Sequence, residues 1–103
     1  MKKTGLLTVL GDSTLEMGKV VIHPNDGFEL DLFQYSYPIL LYHGMTVEEF
    51  NKGGGENVPG EIILSNDCKM GRVELPQKLC ARLNNPNKAI LIYSDGRLLL
   101  ATN

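Results

Sequence analysis

Short runs of apolar residues, separated by polar turns, recur along most of this chain. Apolar or alternating runs of four to eight residues, bounded by Gly, Pro, Asn or Asp, are typical of β-strands. The pattern predicts strands at residues 6–10, 19–22, 28–33, 37–44, 61–64, 72–75, 88–93 and 97–102. The chain is therefore predicted to be mainly β.

Two short helices are predicted between these strands. Pro76 suits the first position of a helix, and Leu79 and Leu83 follow it at helical spacing. Thr46 and Glu49 have the spacing of a capping box, in which each residue satisfies a free amide of the other at a helix start. We expect one helix after Pro76 and another at 46–50.

The first half of the chain departs from this arrangement at residues 23–27. Their sequence ends in Asp26-Gly27, a pair that favours a turn. The following stretch, 28–33, alternates like a strand. We therefore expect the helix to be missing or replaced at this place.

Two nine-residue stretches of the chain have similar sequences. "EMGKVVIHP" at 16–24 and "KMGRVELPQ" at 69–77 share Met-Gly, a basic residue and Val. Apolar strands flank both copies, and the matched landmarks keep an offset of 53 residues at the glycines and 51 at Ile39 and Ile90. A near-constant offset indicates an internal repeat, which sets the architecture.

The repeat predicts one domain built of two β-β-α-β-β units. We place a degenerate first unit at 1–52, a flexible Gly/Pro linker at 53–60 and a second unit at 61–103. One unit alone has little apolar area and open strand edges. The two units are therefore expected to close into one small barrel around a pseudo-twofold axis, and neither is expected to fold alone.

Composition and charge narrow the class of protein. Hydrophobic residues make up 43% of the chain, which is ordinary for a globular protein, and no apolar run approaches the roughly 20 residues of a membrane span. We expect a cytoplasmic protein without membrane contact. Residues 1–59 carry four basic and eight acidic side chains, whereas 60–103 carry six and four, so an anionic partner would suit the second half.

The residues that usually carry chemistry form no motif. Cys68 and Cys80 lack metal-ligand spacing and are expected to be buried thiols. His23 and His43 each lie beside a turn without a paired nucleophile. The three glycines at 53–55 precede no Lys-Ser/Thr, so they form no phosphate loop. We predict no catalytic residue, no metal and no cofactor.

Aromatic residues are concentrated in the first half. Six of the seven lie there: Phe28, Phe33, Tyr35, Tyr37, Tyr42 and Phe50. We expect most of them in the core, with Tyr35 and Tyr37 as candidates for an exposed interface.

The second unit resembles the SpoVT/AbrB swapped-hairpin family. That family shows Gly-Arg-(Val/Leu)-x-(Ile/Leu)-Pro, a short helix and an apolar hairpin. Residues 71–76 and Leu79 match this pattern over a unit of about 44 residues. The tandem arrangement is similar to that of MraZ, although this chain is shorter, its first helix is degenerate, and its turn at 67–72 is one residue longer.

The resemblance implies a DNA-binding transcriptional regulator that self-assembles. Carried over by position, the DNA-contacting residues would be Lys19 and Arg72, then Lys69, with added phosphate contacts from Lys2 and Lys3. Arginine pairs bidentately with guanine, and lysine neutralises phosphate.

An alternative stays open beside DNA binding. Glu16 and Asp67 lie close in sequence to the proposed contacts and oppose the approach of phosphate. The acidic, aromatic first half favours an oligomeric protein-interaction module with the same barrel and no DNA. A homo-oligomer or a protein partner is therefore the second prediction.

Overall fold

The computed structural model describes residues 1–102; Asn103, the last residue of the predicted second repeat, lies outside the described residues. Eight strands and three short helices alternate along the chain. In order they are β1 Lys2–Lys3, β2 Leu7–Asp12, β3 Lys19–Ile22, α1 Pro24–Glu29, β4 Ser36–His43, α2 Val47–Asn51, β5 Asn57–Leu64, β6 Arg72–Pro76, α3 Gln77–Arg82, β7 Lys88–Ser94 and β8 Arg97–Ala101. The prediction of a mainly β protein with short helices is confirmed.

Seven of the strands close into a mixed β-barrel. Neighbouring strands follow the order β7-β2-β6-β3-β5-β4-β8, and pairing between β8 and β7 completes the ring, with β1 added beside β7. Three pairings are parallel: β2 with β6, β3 with β5 and β4 with β8. Each joins strands that lie far apart in sequence, so both halves of the chain build one barrel.

The barrel interior is filled by aliphatic side chains that alternate along the strands. The fully buried members are chiefly leucine, isoleucine and valine; they include Val20, Ile22, Leu41, Ile62, Val73, Leu75, Leu91 and Leu98. Successive side chains of a strand point to opposite faces, so every second side chain enters the barrel interior. Cys68 and Cys80 are buried as predicted.

Two helices agree with their predicted positions. Thr46 caps α2: its hydroxyl accepts from the Glu49 amide at 3.1 Å, and the Glu49 carboxylate accepts from the Thr46 amide at 3.1 Å. Helix α3 begins directly after Pro76 and buries Leu79 and Cys80 against the barrel. Within residues 1–102, no helix has the length and apolar character that crossing a membrane requires.

The prediction that the first helix is missing was wrong, because α1 spans Pro24–Glu29. The His23 imidazole Nδ1 accepts a hydrogen bond of 3.0 Å from the Asn25 amide and caps the helix, and proline stands in its first turn. Gly27 is a packing residue here: a Cβ atom at its position would lie 2.4 Å from Leu64 Cδ2. The Asp-Gly pair therefore allows the helix to lie close to β5.

Two further boundaries differ from the prediction. Strand β5 begins at Asn57, so residues 57–60 of the predicted linker belong to the barrel, where Asn57 lies opposite Tyr42 of β4. The predicted strand at 28–33 is absent, because residues 28 and 29 end α1 and residues 30–35 form a turn region. Leu30 and Leu32 of that region are buried, so the predicted apolar face exists without the strand.

Candidate functional site

Lys19, the first predicted DNA contact, is joined to a carboxylate. The parallel register of β3 and β5 places Lys19 directly opposite Glu61, and Lys19 Nζ donates to Glu61 Oε1 at 2.8 Å. This bond raises the pKa of Lys19, and hydrogen bonds from Lys19 and then Ser36 lower the pKa of Glu61. The positive charge of Lys19 is therefore neutralised by the Glu61 carboxylate.

Arg72 and Lys69 lie together, apart from Lys19. Arg72 begins β6, and its amide donates to the Lys69 carbonyl at 3.2 Å. Strands β3 and β6 run antiparallel with Val21 opposite Glu74, so Lys19 and Arg72 stand at opposite ends of the pair. An offset of four residues corresponds to about 13 Å along the strands.

The loop that carries Lys69 is fastened to α1. The Gly71 amide donates to the buried carboxylate of Asp26 at 2.9 Å, and Asn25 Nδ2 contacts Met70 Sδ at 2.8 Å. An acidic side chain of α1 therefore contacts the backbone of the turn between Lys69 and Arg72.

Lys2 and Lys3 occupy a different edge of the molecule. They form β1, which pairs with Tyr93 and Ile92 of β7 and with neither β3 nor β6. Lys2 Nζ lies 3.4 Å from Asp31 Oδ2. The five predicted basic residues thus fall in three separate places: Lys19 in β3, Lys69 with Arg72 at the start of β6, and Lys2 with Lys3 in β1.

A group of exposed aromatic rings lies at the end of α1 and in the turn region that follows it. Phe28, Phe33 and Tyr35 are 66%, 68% and 72% exposed, and we call these three residues the aromatic patch. The rings of Phe28 and Phe33 meet edge to face with centroids 5.5 Å apart. The expectation that Phe28 and Phe33 lie in the core was wrong, whereas Tyr35 is exposed as predicted and Tyr42 and Phe50 are buried as predicted.

The backbone beneath the aromatic patch is held at several points. Leu30 and Leu32, which lie between the two exposed phenylalanines in sequence, are buried in the core. The Tyr37 hydroxyl accepts from the amides of Phe33 and Gln34 at 2.8 and 2.9 Å. The Leu64 amide donates to the Tyr35 carbonyl at 2.8 Å, which joins the segment to β5. The rings are therefore presented by a supported segment.

Sequence reasoning missed Phe28 and Phe33, although a signal was present. Phe28 and Leu30 cannot share a helix face at a spacing of two, and the stretch interleaves acidic residues with its apolar ones. Leu30 follows the last helical residue as the C-cap of α1 and is buried, whereas Phe28, two residues earlier, is exposed.

Other kinds of site find little support in residues 1–102. No three His, Cys, Asp or Glu side chains come together as metal ligands there, and every buried side-chain nitrogen or oxygen has a hydrogen-bond partner. An open groove of about 620 Å³ lies between Leu15 and Met17 on one side and Pro76 and Ala81 on the other. Its lining is mostly apolar, with Glu16 and Lys78 among its polar members.

Comparison with known proteins gives no assignment: no protein-family model, no curated protein and no solved structure matches this chain.

Proposed function

We propose that the protein is a non-catalytic protein-interaction module whose barrel supports the aromatic patch. The observation that carries the proposal is the exposure of Phe28, Phe33 and Tyr35 on one supported segment. Contiguous exposed apolar surface marks interaction sites in folded proteins, whereas single exposed apolar residues do not. Aromatic residues are also enriched in the cores of protein interfaces.

The segment is suited to binding because its conformation is already fixed. Ordering a flexible loop on association costs about 0.5–1.5 kcal/mol for each side chain that is immobilised. Here the hydrogen bonds to the Tyr37 hydroxyl and the burial of Leu30 and Leu32 hold the backbone before any partner arrives. The edge-to-face contact of Phe28 and Phe33 further orients their rings.

Within this proposal the barrel is a swapped-hairpin barrel made of two repeats. When the two halves of the chain are exchanged, β2 takes the place of β5 and β6 takes the place of β3. The pair β2–β6 and the pair β5–β3 are both parallel, as this exchange requires. Gly18 and Gly71 of the repeated Met-Gly pairs both have positive φ, 89° and 77°, one residue before a strand. Helices α1 and α3 follow β3 and β6 in the same way.

DNA binding of the AbrB/MraZ type is the second proposal. It is favoured by the adjacent Lys69 and Arg72 at the start of β6, where neither side chain forms an ion pair among residues 1–102. We place it second because Lys19 is paired with Glu61 and stands at the far end of the strand pair. Two cations alone give weak, weakly salt-dependent binding to phosphate.

Site-specific photocrosslinking in cells that make the protein tests the first proposal. Benzoylphenylalanine is placed at Phe33, which it resembles in shape, and at Leu6 as a matched control that is 60% exposed and lies outside the patch. We expect a covalent adduct from position 33 and none from position 6. Equal yields at both positions, or no adduct from positions 28, 33 and 35, would contradict a binding role for the patch.

A duplex titration separates the two proposals. A mixed-sequence duplex is titrated at about 50 mM and about 200 mM salt, because affinity that depends on phosphate contacts falls steeply between these two concentrations. We expect no retained complex at either salt. A complex at low salt that is lost in a Lys69→Gln/Arg72→Gln variant would instead favour DNA binding.

A further inference from the structure

The aromatic patch lies in the most acidic part of the chain. Residues 20–51 form the longest stretch without Lys or Arg, and they contain five carboxylates. Glu29 and Asp31 fall between Phe28 and Phe33 in sequence, and both are exposed. Two exposed carboxylates therefore lie on the same segment as the exposed rings.

Asp31 is only weakly neutralised within the protein. Its partner Lys2 lies 3.4 Å away, and the side chains of Lys2 and Asp31 are 57% and 60% exposed. Exposed ion pairs of this kind contribute about 0–1 kcal/mol, so a better-placed cation can displace Lys2.

We propose that the aromatic patch binds a basic, partly apolar segment of a partner protein; this inference rests on the function proposed above. Arginine side chains of the partner would stack on the rings of Phe28, Phe33 and Tyr35, because a ring face attracts a cation. Glu29 and Asp31 would pair with the same guanidinium groups, and guanidinium forms bidentate bonds with carboxylates. Apolar side chains between the arginines would cover the remaining ring surface.

A second copy of this chain fits the patch less well. A symmetric contact through the patch would bring the Glu29 and Asp31 carboxylates of both copies into one interface, and like charges that approach each other there are unfavourable. A cationic partner turns the same carboxylates into a favourable contribution, and electrostatic attraction also raises the rate of association.

The test uses the full chain and three hexapeptides that alternate leucine with arginine, serine or glutamate. Each peptide is titrated into isotopically labelled protein at about 50 mM salt, where surface electrostatics are strong. We expect the arginine peptide to shift the resonances of the aromatic patch and to bind about tenfold more tightly than the serine peptide, a difference of about 1.4 kcal/mol. The glutamate peptide is expected to bind more weakly than either.

Matched variants show whether the carboxylates of the patch matter. In Glu29→Gln/Asp31→Asn both charges are removed; asparagine tolerates the positive φ of 60° at position 31. Glu48→Gln/Glu56→Gln changes the net charge equally at exposed positions outside the patch. We expect the first variant to weaken binding of the arginine peptide about fivefold, and the second to change it less than about twofold.

The outcomes distinguish this inference from the proposed function. Serine and arginine peptides of equal affinity at the patch would overturn the basic partner and leave the interaction module intact. Self-association through the patch at millimolar protein would do the same. If no peptide shifts the patch and position 33 gives no crosslink, both proposals fail. Shifts confined to surfaces outside the patch would overturn this inference alone.

Discussion

Gly60 lies against Gly18 so closely that a Cβ atom added to Gly60 would stand 2.1 Å from the Gly18 carbonyl oxygen. The same oxygen accepts a hydrogen bond of 3.0 Å from the Glu61 amide, which holds the start of β3 against β5. Gly60→Ala must therefore push two strands apart. We expect a loss of about 1–3 kcal/mol in the free energy of unfolding, measured by urea denaturation, because overpacking of rigid backbone costs this much.

The two glycines of the repeated motif form a natural comparison. Gly18 and Gly71 have similar positive φ, but a Cβ at Gly18 would lie 2.6 Å from the Pro59 oxygen, whereas nothing lies within 4 Å of one at Gly71. Alanine at either position should cost about 1–2 kcal/mol for the left-handed backbone. Gly18→Ala should cost clearly more than Gly71→Ala; equal losses in urea denaturation would mean that the contact with Pro59 is unimportant.

The Lys19–Glu61 pair predicts a pH-dependent contribution to stability. The pKa of Glu61 is lowered from 4.5, so its contribution is present above that value and is lost as the pH falls through the lowered pKa. The pKa of Lys19 is raised from 10.5, so its contribution is lost only as the pH rises through the raised value. The stability difference between wild type and Glu61→Gln should therefore be constant from roughly pH 5 to pH 10 and shrink outside that window.

The matched control for that prediction is Glu56→Gln, an exposed carboxylate in the connection before β5. Urea midpoints of all three proteins are compared from pH 3 to pH 11, at about 50 mM salt to limit screening. A difference between wild type and Glu61→Gln that persists unchanged at pH 3 would rule out the ion pair as its source.

Arg97 is predicted to hold α2 on the barrel. Its guanidinium carbon lies 4.2 Å from the centroid of the Phe50 ring and 4.9 Å from that of Tyr42, and Nη2 donates to the Phe50 carbonyl. Arg97→Lys keeps the charge but loses the planar stack and donor geometry. We expect a loss of about 1–3 kcal/mol in the free energy of unfolding, against less than about 0.5 kcal/mol for the exposed Arg82→Lys.

Cys68 is predicted to be inert in the folded protein. Burial, followed by the nearby Glu74 carboxylate, raises its pKa from 9.0 to about 12, and burial also raises the pKa of Cys80. Because thiolate is the reactive form, a disulfide reagent at pH 8 should label neither thiol until urea unfolds the protein. Rapid labelling of Cys68 in native buffer would show that its site opens readily.

The raised pKa of Cys68 also predicts how the stability of the protein changes at alkaline pH. Between pH 9 and pH 12 the unfolded thiol of Cys68 loses its proton while the folded thiol keeps it. Stability should therefore be unaffected by this group below pH 9 and fall as the pH rises above it. Cys68→Ala should reduce that alkaline slope in urea denaturation, whatever its effect at neutral pH.

Where local signals were sufficient, the sequence predicted individual strands and helices to within one residue. The strands at β3 and β6 and the capping box of Thr46 and Glu49 depend on alternation and on contacts three residues apart. Such signals lie within a few residues and need no knowledge of the rest of the chain.

The errors arose where distant residues decide local structure. Gly27 packs closely against the Leu64 side chain, which is 37 residues away in sequence, whereas the Asp26-Gly27 pair considered locally favours a turn. The start of β5 at Asn57 is set by pairing with β4, which carries the strand through Pro59 and Gly60 before β3 joins it at Glu61. No local pattern contains either contact.

The candidate site was only partly predictable for the same reason. The ion pair of Lys19 with Glu61 depends on the register of β3 with β5. The separation of Lys19 from Arg72 depends on the register of β3 with β6. The exposure of Phe28 and Phe33 follows from burial of Leu30 and Leu32 within a turn that the alternation did not reveal.

Closure of the barrel also limits how other molecules can join this one. Each of β2 to β8 has a neighbouring strand on both sides over at least part of its length, and β1, the two-residue strand outside the ring, presents Lys2 and Lys3. Among residues 1–102 there is thus no long bare ladder onto which another chain could add a strand, and lysine discourages pairing at the short edge that remains. Assembly must be built from side-chain contacts, which a few substitutions can remove without unfolding the molecule.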